Sequence, residues 1–324
     1  MFRYIERPVY CERDWYEEAL EIISSHLIQV PGVKAIYRFG NITIPGISDL
    51  DILVVFENNA SCTLNGMEQL SERHTRLFTH GIMAIREDQF YTNMKYTIWS
   101  EPVLLKGEHP HGTIPVRTAE EDQAVKRQTG LEFLLAHYID MAVQTAYKIF
   151  KLRALLQHTK GLIMDLEFIG INDSSIHPLV RELREKSLLW FERPVDISFF
   201  ESWIPRFNNA YNSLCEEIFH HHQLYLPGSG DFAIAKNIRL VHQPGLSYKR
   251  QGFNLPDIGV LKEKKHFKLL NKFNKFTVTV PLTNEPEHPI LRDRFLFLRE
   301  MKSHNRHNLP NFMTMTTAVT SKIL

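Results

Sequence analysis

A single stretch, Tyr37-Arg-Phe-Gly-Asn-Ile-Thr-Ile-Pro-Gly-Ile-Ser-Asp-Leu-Asp-Ile-Leu-Val-Val-Phe56, decides the fold. Its second half, residues 51–56, is a near-continuous run of Ile, Leu and Val, the pattern of a strand buried on both faces. Asp49 and Asp51 stand two residues apart at the head of that run, so in extended backbone their side chains share a face. Neighbouring carboxylates repel, and a cation between them relieves the repulsion. Hard oxygen ligands at this spacing suit Mg²⁺ or Mn²⁺, with substrate phosphates completing the shell. Gly40 closes the preceding strand at a point where a side chain would obstruct a ligand, and amides of the following turn can donate to phosphate oxygens. The plainer alternative is an Asp pair at a strand end facing water.

Outward from this stretch, the spacing of Ala19, Leu20, Ile22, Ile23, Leu27 and Ile28 predicts a helix over 15–30, stopped by Pro31-Gly32. A strand is expected over 33–39, a second helix over 64–80 and a short strand over 81–85. Alternating helix and strand make an α+β amino-terminal domain, a small mixed sheet with flanking helices. Beyond Thr118, Leu131, Leu134, Leu135, Tyr138, Ala142, Ile149, Leu152 and Leu156 trace one face of a long helix without proline. Further helices are expected over 179–191 and 199–222. The expected organisation is a mixed domain at 1–117, a helical domain at 118–226, and a carboxy-terminal region at 227–324 of unclear fold, with a strand at 276–280.

The motif of strand, Gly turn, Ser48-Asp49-Leu50-Asp51 and apolar strand resembles that of the nucleotidyltransferase superfamily, the fold of DNA polymerase β and of bacterial antibiotic adenylyltransferases. The likeness is close over about 33–56 and loose over 14–115. It implies that Asp49 and Asp51 hold Mg²⁺, with Mn²⁺ as the alternative. Phe39, Gly40, Asn41 and Ser48 would then lie at the nucleoside triphosphate. It also implies transfer of a nucleoside monophosphate, AMP from ATP foremost, onto an acceptor hydroxyl, with pyrophosphate leaving. The acceptor is a small molecule, a protein side chain or an RNA end. Two positions depart from the family pattern. Asn41 stands where Ser or Gly is usual, and the neighbouring strand shows Met83 and Ala84 where a third acid belongs. Glu87 is the best substitute as a catalytic carboxylate, with Asp88 and Glu101 behind it. Without a third acid, the other reading is a catalytically degenerate member that binds nucleotide or RNA as a regulatory module. Lys148 and Lys151 are the helical-domain candidates for reaching the triphosphate.

The 324 residues carry 38 Lys and Arg against 37 Asp and Glu, a net +1 that conceals a split. Residues 1–117 hold 11 basic and 15 acidic residues, a net −4, which leaves +5 for the rest. The run 248–276 concentrates eight cations against Asp257 and Glu263, interleaved with Phe253, Phe267, Phe273 and Phe276, a composition suited to a polyanion or a solvated helix. Cys11, Cys62 and Cys215 are too few and too scattered for a disulfide framework or a thiolate zinc site. His220, His221 and His222 diverge by about 100° per residue on a helix and cannot share one metal. No apolar run approaches the ~20 residues of a membrane span, and the charged start is unlike a signal peptide. A cytoplasmic protein without membrane partners is the expectation.

Overall fold

The computed structural model describes residues 2–98, 101–193, 196–228, 230–255, 263–315 and 319–323. The chain begins with β1 (Arg3–Ile5), α1 (Arg13–Leu27), β2 (Val33–Phe39), β3 (Asp51–Phe56) and the one-turn α2 (Glu72–Thr75). It continues through β4 (Met83–Arg86), α3 (Glu87–Tyr96), β5 (Val103–Gly107) and the long α4 (Ala119–Tyr147). Then come β6 (Ile149–Lys151), α5 (Leu152–Thr159), α6 (Leu162–Phe168), α7 (His177–Leu188) and α8 (Ile197–His221). Next are β7 (Leu224–Tyr225), β8 (Phe232–Ala235), β9 (Ile238–His242), β10 (Ser247–Gln251) and α9 (Glu263–Phe273). The last elements are β11 (Lys275–Val280), β12 (Leu282–Thr283), α10 (Pro289–Asn308), β13 (Met313–Thr314) and α11 (Thr320–Ile323).

The chain forms two compact units, each discontinuous in sequence. One comprises Val9–Val125 and His288–Thr317; the other comprises Met1–Pro8, Lys126–Glu287 and Ala318–Ile323. The sequence-order division at 117 and 226 therefore differs from the grouping by contact. The carboxy-terminal region is shared out, with α10 and β13 returning to the first unit.

The first unit is built on a five-stranded mixed sheet in the order β13-β4-β3-β2-β5. β3 runs antiparallel to β2 and parallel to β4. The apolar run of β3 is buried on both faces, as its pattern requires. Ile52, Val54 and Phe56 join Tyr16, Ala19, Ile23 and Leu27 of α1 on one side. Leu53 and Val55 join Phe90 of α3 and Leu298 and Met301 of α10 on the other. Both strands at the heart of the sheet keep the bounds read from sequence. The expected helix over 64–80 does not form. Gly66 takes left-handed backbone and Leu70 is extended, leaving only a 3₁₀ turn at Met67–Gln69 and the single turn α2.

The second unit is helical around α4–α8, but it also holds a four-stranded sheet, order β10-β11-β9-β8, which the sequence reading anticipated only at 276–280. The expected helix through Leu156 breaks at Lys148. That residue adopts φ 56 and turns the chain into β6, which pairs in parallel with β1. A distant strand thus overrides local helical periodicity, and no glycine or proline marks the break. The three cysteines are buried and belong to no disulfide. Among the described residues, no helix is long and apolar enough to cross a membrane.

Candidate metal centre

The turn from β2 to β3 is held from beneath by α1. The hydroxyl of the fully buried Tyr16 donates to the Ser48 carbonyl at 2.8 Å and accepts from the Gly46 amide at 2.9 Å. Inside the turn, the Ser48 hydroxyl oxygen accepts from the amides of Thr43 and Ile44, each at 3.1 Å. Gly40 and Gly46 both take positive φ, 67° and 85°, which an L side chain would strain. An added Cβ at Gly40 would meet only the Asp51 carboxylate, at 3.8 Å, so backbone conformation rather than space demands glycine there. The result is a fixed loop that delivers Asp49 and Asp51 to the head of β3, where Asp51 pairs with Phe39.

A third group joins them from the segment leading into β4. His80 places Nε2 2.6 Å from an Asp51 oxygen and 4.0 Å from an Asp49 oxygen. One ligand atom from each of Asp49, Asp51 and His80 lies within 4.8 Å of the others, and among the described residues no further carboxylate joins them. The side chains of Asp49, Asp51 and His80 remain 13%, 32% and 31% exposed, so the cluster is open to solvent. The Thr79 hydroxyl donates to Asp49 and fixes that carboxylate.

The His80 ring shows what the cluster does without a metal. Nδ1 donates to the Gly81 carbonyl at 2.7 Å, and Nε2 donates to Asp51. Two acceptors require two N–H donors, hence an imidazolium. The hydrogen bond to Asp51, opposed by burial and helped by the Gly81 carbonyl and both carboxylate charges, raises its pKa from 6.5 to about 9. The raised pKa favours the imidazolium at neutral pH. Removing the proton from Nε2 leaves Nδ1–H anchored on Gly81, the tautomer in which a backbone carbonyl orients a histidine ligand toward a metal. Two carboxylate oxygens and one imidazole nitrogen fit a divalent cation. The nitrogen shifts the donor set from the all-oxygen preference of Mg²⁺ toward Mn²⁺ or Zn²⁺.

Of the residues singled out from sequence, the structure brings Asp49 and Asp51 together, with Phe39 and Gly40 alongside. Asn41 is exposed on the turn. Ser48 is buried and serves the turn's own amides. Glu87 does not reach the pair: β3 and β4 are parallel, with Leu53 beside Met83 and Phe56 beside Arg86. Glu87 therefore lies past the far end of β3 from Asp51, about 20 Å away at ~3.3 Å per residue. Asp88 is held there by Arg86 at 3.0 Å, and Glu101, exposed ahead of β5, is outside the cluster. Lys148 and Lys151 belong to the other unit. There Lys148 ends α4, and the Lys151 ammonium sits 4.8 Å from the centre of the Phe267 ring. His80 stands one residue before the apolar stretch 81–85 and is not an acid, so neither the strand pattern nor the resembled motif singles it out. Its signal was a ligating side chain immediately before the strand parallel to the acid-X-acid strand. Comparison with protein-family models, with curated proteins and with solved structures returns no match.

Proposed function

We propose that this chain is a divalent-cation-dependent nucleotidyltransferase that moves a nucleoside monophosphate, AMP from ATP foremost, onto an acceptor hydroxyl. The observation that carries this reading is the pairing of Asp49 and Asp51 with His80 at the head of a buried strand, directly after a rigid glycine turn. In the reaction, the acceptor hydroxyl gives its proton to solvent, its oxygen forms a bond to the α-phosphorus, the bond from that phosphorus to the bridging oxygen breaks, and pyrophosphate leaves with the electron pair. The bound cation would neutralise phosphate charge and lower the pKa of the attacking hydroxyl. Asp49, Asp51 and the neutral form of His80 would hold it, with the Thr79 hydroxyl orienting Asp49. Any donation to phosphate oxygens from the turn would fall to amides other than those of Thr43, Ile44 and Gly46, which Ser48 and Tyr16 already engage. His80 thus stands in for the third acid of the resembled family and tunes the site toward Mn²⁺.

Pyrophosphate release, assayed with Mn²⁺ or Mg²⁺, each of the four triphosphates and a panel of hydroxyl acceptors, tests the reading. Activity is expected to vanish in Asp49→Ala and Asp51→Ala; unchanged transfer in either variant would remove the site. Among the described residues the cluster has no third carboxylate, which favours one other reading, a binding module without turnover. Cation-dependent triphosphate binding with no pyrophosphate release under any acceptor would select it.

A further inference from the structure

The second unit's four-stranded sheet has an inner face and an outer face of opposite character. Phe276, Ile238 and Tyr248 turn inward with Phe267 and Leu270 of α9. Arg250, on the same side, is engaged: it donates to the Ala146 carbonyl at 2.8 Å and to Asn274 and Asn254 at 2.7 and 2.6 Å. The alternate residues face outward. Register sets Lys249 of β10 opposite Thr277 of β11, and Thr277 beside Arg239 of β9, in one row across three strands. Lys275 stands two residues along β11, opposite Gln251. Strand spacing of ~4.8 Å and a rise of ~3.3 Å per residue put these three cations about 8–10 Å apart at their Cα atoms.

Arg239, Lys249 and Lys275 are all exposed. Among the described residues none of the three forms an ion pair. No Asp or Glu occurs in residues 232–251 or 275–280, and Asp231 just before β8 is the acid flanking them. The rest of this face is Ser247, Gln251, Thr277 and Thr279, with Ala233, Ala235 and Val241 toward β8. Lys236, in the turn from β8 to β9, adds an exposed cation at the rim.

Unpaired cations held in a fixed lattice among hydroxyl and amide donors complement a string of anions. The face lacks the aromatic and large aliphatic anchors on which protein partners depend. Among the described residues the strands of this face carry no ring on which bases could stack, the exposed Phe253 and Phe273 lying just beyond β10 and just before β11, and no described element projects from the face to enter a duplex groove. We propose that the outer face of β8–β11 binds the phosphodiester backbone of single-stranded nucleic acid, through Arg239, Lys249 and Lys275, without reading its bases. Of the eight cations of the basic run at 248–276, Lys249 and Lys275 belong to this surface, Arg250 does not, Lys264, Lys265, Lys268 and Lys272 are on α9, and Lys262 lies outside the described residues.

Fluorescence anisotropy of a labelled 20-nucleotide oligouridylate with the full chain, titrated at 50 to 300 mM salt, tests this. Neutralising three phosphates predicts a slope of log K against log salt of about −2, at ~0.7 per contact on a single strand. The variant R239Q/K249Q/K275Q should lose at least about tenfold in affinity and bring the slope close to zero. All three side chains are exposed, so an unchanged circular dichroism spectrum verifies its fold. The charge-preserving R239K/K249R/K275R should bind as the parent does, and so should Asp51→Asn, which separates this surface from the metal centre. Undiminished binding by the glutamine variant, no binding at 50 mM salt, or equal competition by polyglutamate would overturn the proposal.

Discussion

At the end of the five-stranded sheet where β3 begins, Asp49 and Asp51 face an imidazole, with His80 Nε2 2.6 Å from Asp51. At the end where β4 runs out, Asp88 and Glu300 face a guanidinium, with Arg86 3.0 Å from each. Both clusters place two carboxylates around one cationic side chain, yet the chemistry open to them differs. Arginine never gives up its charge under ordinary conditions and offers no lone pair, so the Arg86 cluster is a permanent ion pair. Histidine can lose its proton and then bind a metal through the same nitrogen, so under the proposed function the His80 cluster is exchangeable. Two acids near each other do not define a site; the replaceability of their counter-charge does.

The sharpest way to break this contrast is to remove a carboxylate. Asp51→Asn should weaken Mn²⁺ binding by more than about 100-fold, since even an outer-shell partner of a ligand is worth 10–100-fold; isothermal titration reads this directly. His80→Gln should cost about 10–100-fold for Mn²⁺ or Zn²⁺ and much less for Mg²⁺, which gains little from nitrogen. The same variant should abolish a pH dependence. Because the metal must displace a proton held with a pKa of about 9, affinity in the parent should rise about tenfold per pH unit through neutrality and level off above pH 9. The sign reverses for the metal-free protein. There the raised pKa means that the His80–Asp51 pair stabilises the fold fully below about pH 6.5 and stops doing so as pH climbs through about 9.

Smaller effects test the support beneath the cluster. Tyr16→Phe leaves the Gly46 amide and the Ser48 carbonyl without their buried partner, and should cost about 1–3 kcal/mol of stability in urea denaturation. The smallest change is expected from Arg86→Met, on the other side of the contrast. Its partners are about half exposed, so roughly 1 kcal/mol or less of stability should be lost, with Mn²⁺ affinity unchanged. A drop in Mn²⁺ affinity in that variant would erase the distinction between the two ends.

The same contrast explains what was legible in the sequence. β2 and β3 were readable to the residue because a double-faced apolar run admits one conformation and Gly40 punctuates it. The acid pair was readable because alternation in a strand fixes which side chains are neighbours. His80 was not, because it lies in the irregular stretch after α2, where neither period 2 nor period 3.6 applies. The break at Lys148 was hidden for a related reason. Its cause is pairing between β6 and β1, some 145 residues earlier, while Leu152, Leu155 and Leu156 continue an apolar pattern in α5 as if the helix had not ended. Glu87 was misassigned because the parallel run of β4 carries its end away from Asp51, and strand direction is not written in local sequence.

Under the proposed function, Asp49, Asp51 and His80 exchange a proton for a divalent cation. The most direct measurement is Mn²⁺ titration calorimetry at pH 7.5 in two buffers of different ionisation enthalpy, which counts protons released per ion bound. One Mn²⁺ per chain with release of about one proton is expected, falling to none in His80→Gln. Absence of Mn²⁺ binding at millimolar concentration, or binding without proton release in the parent, would contradict it.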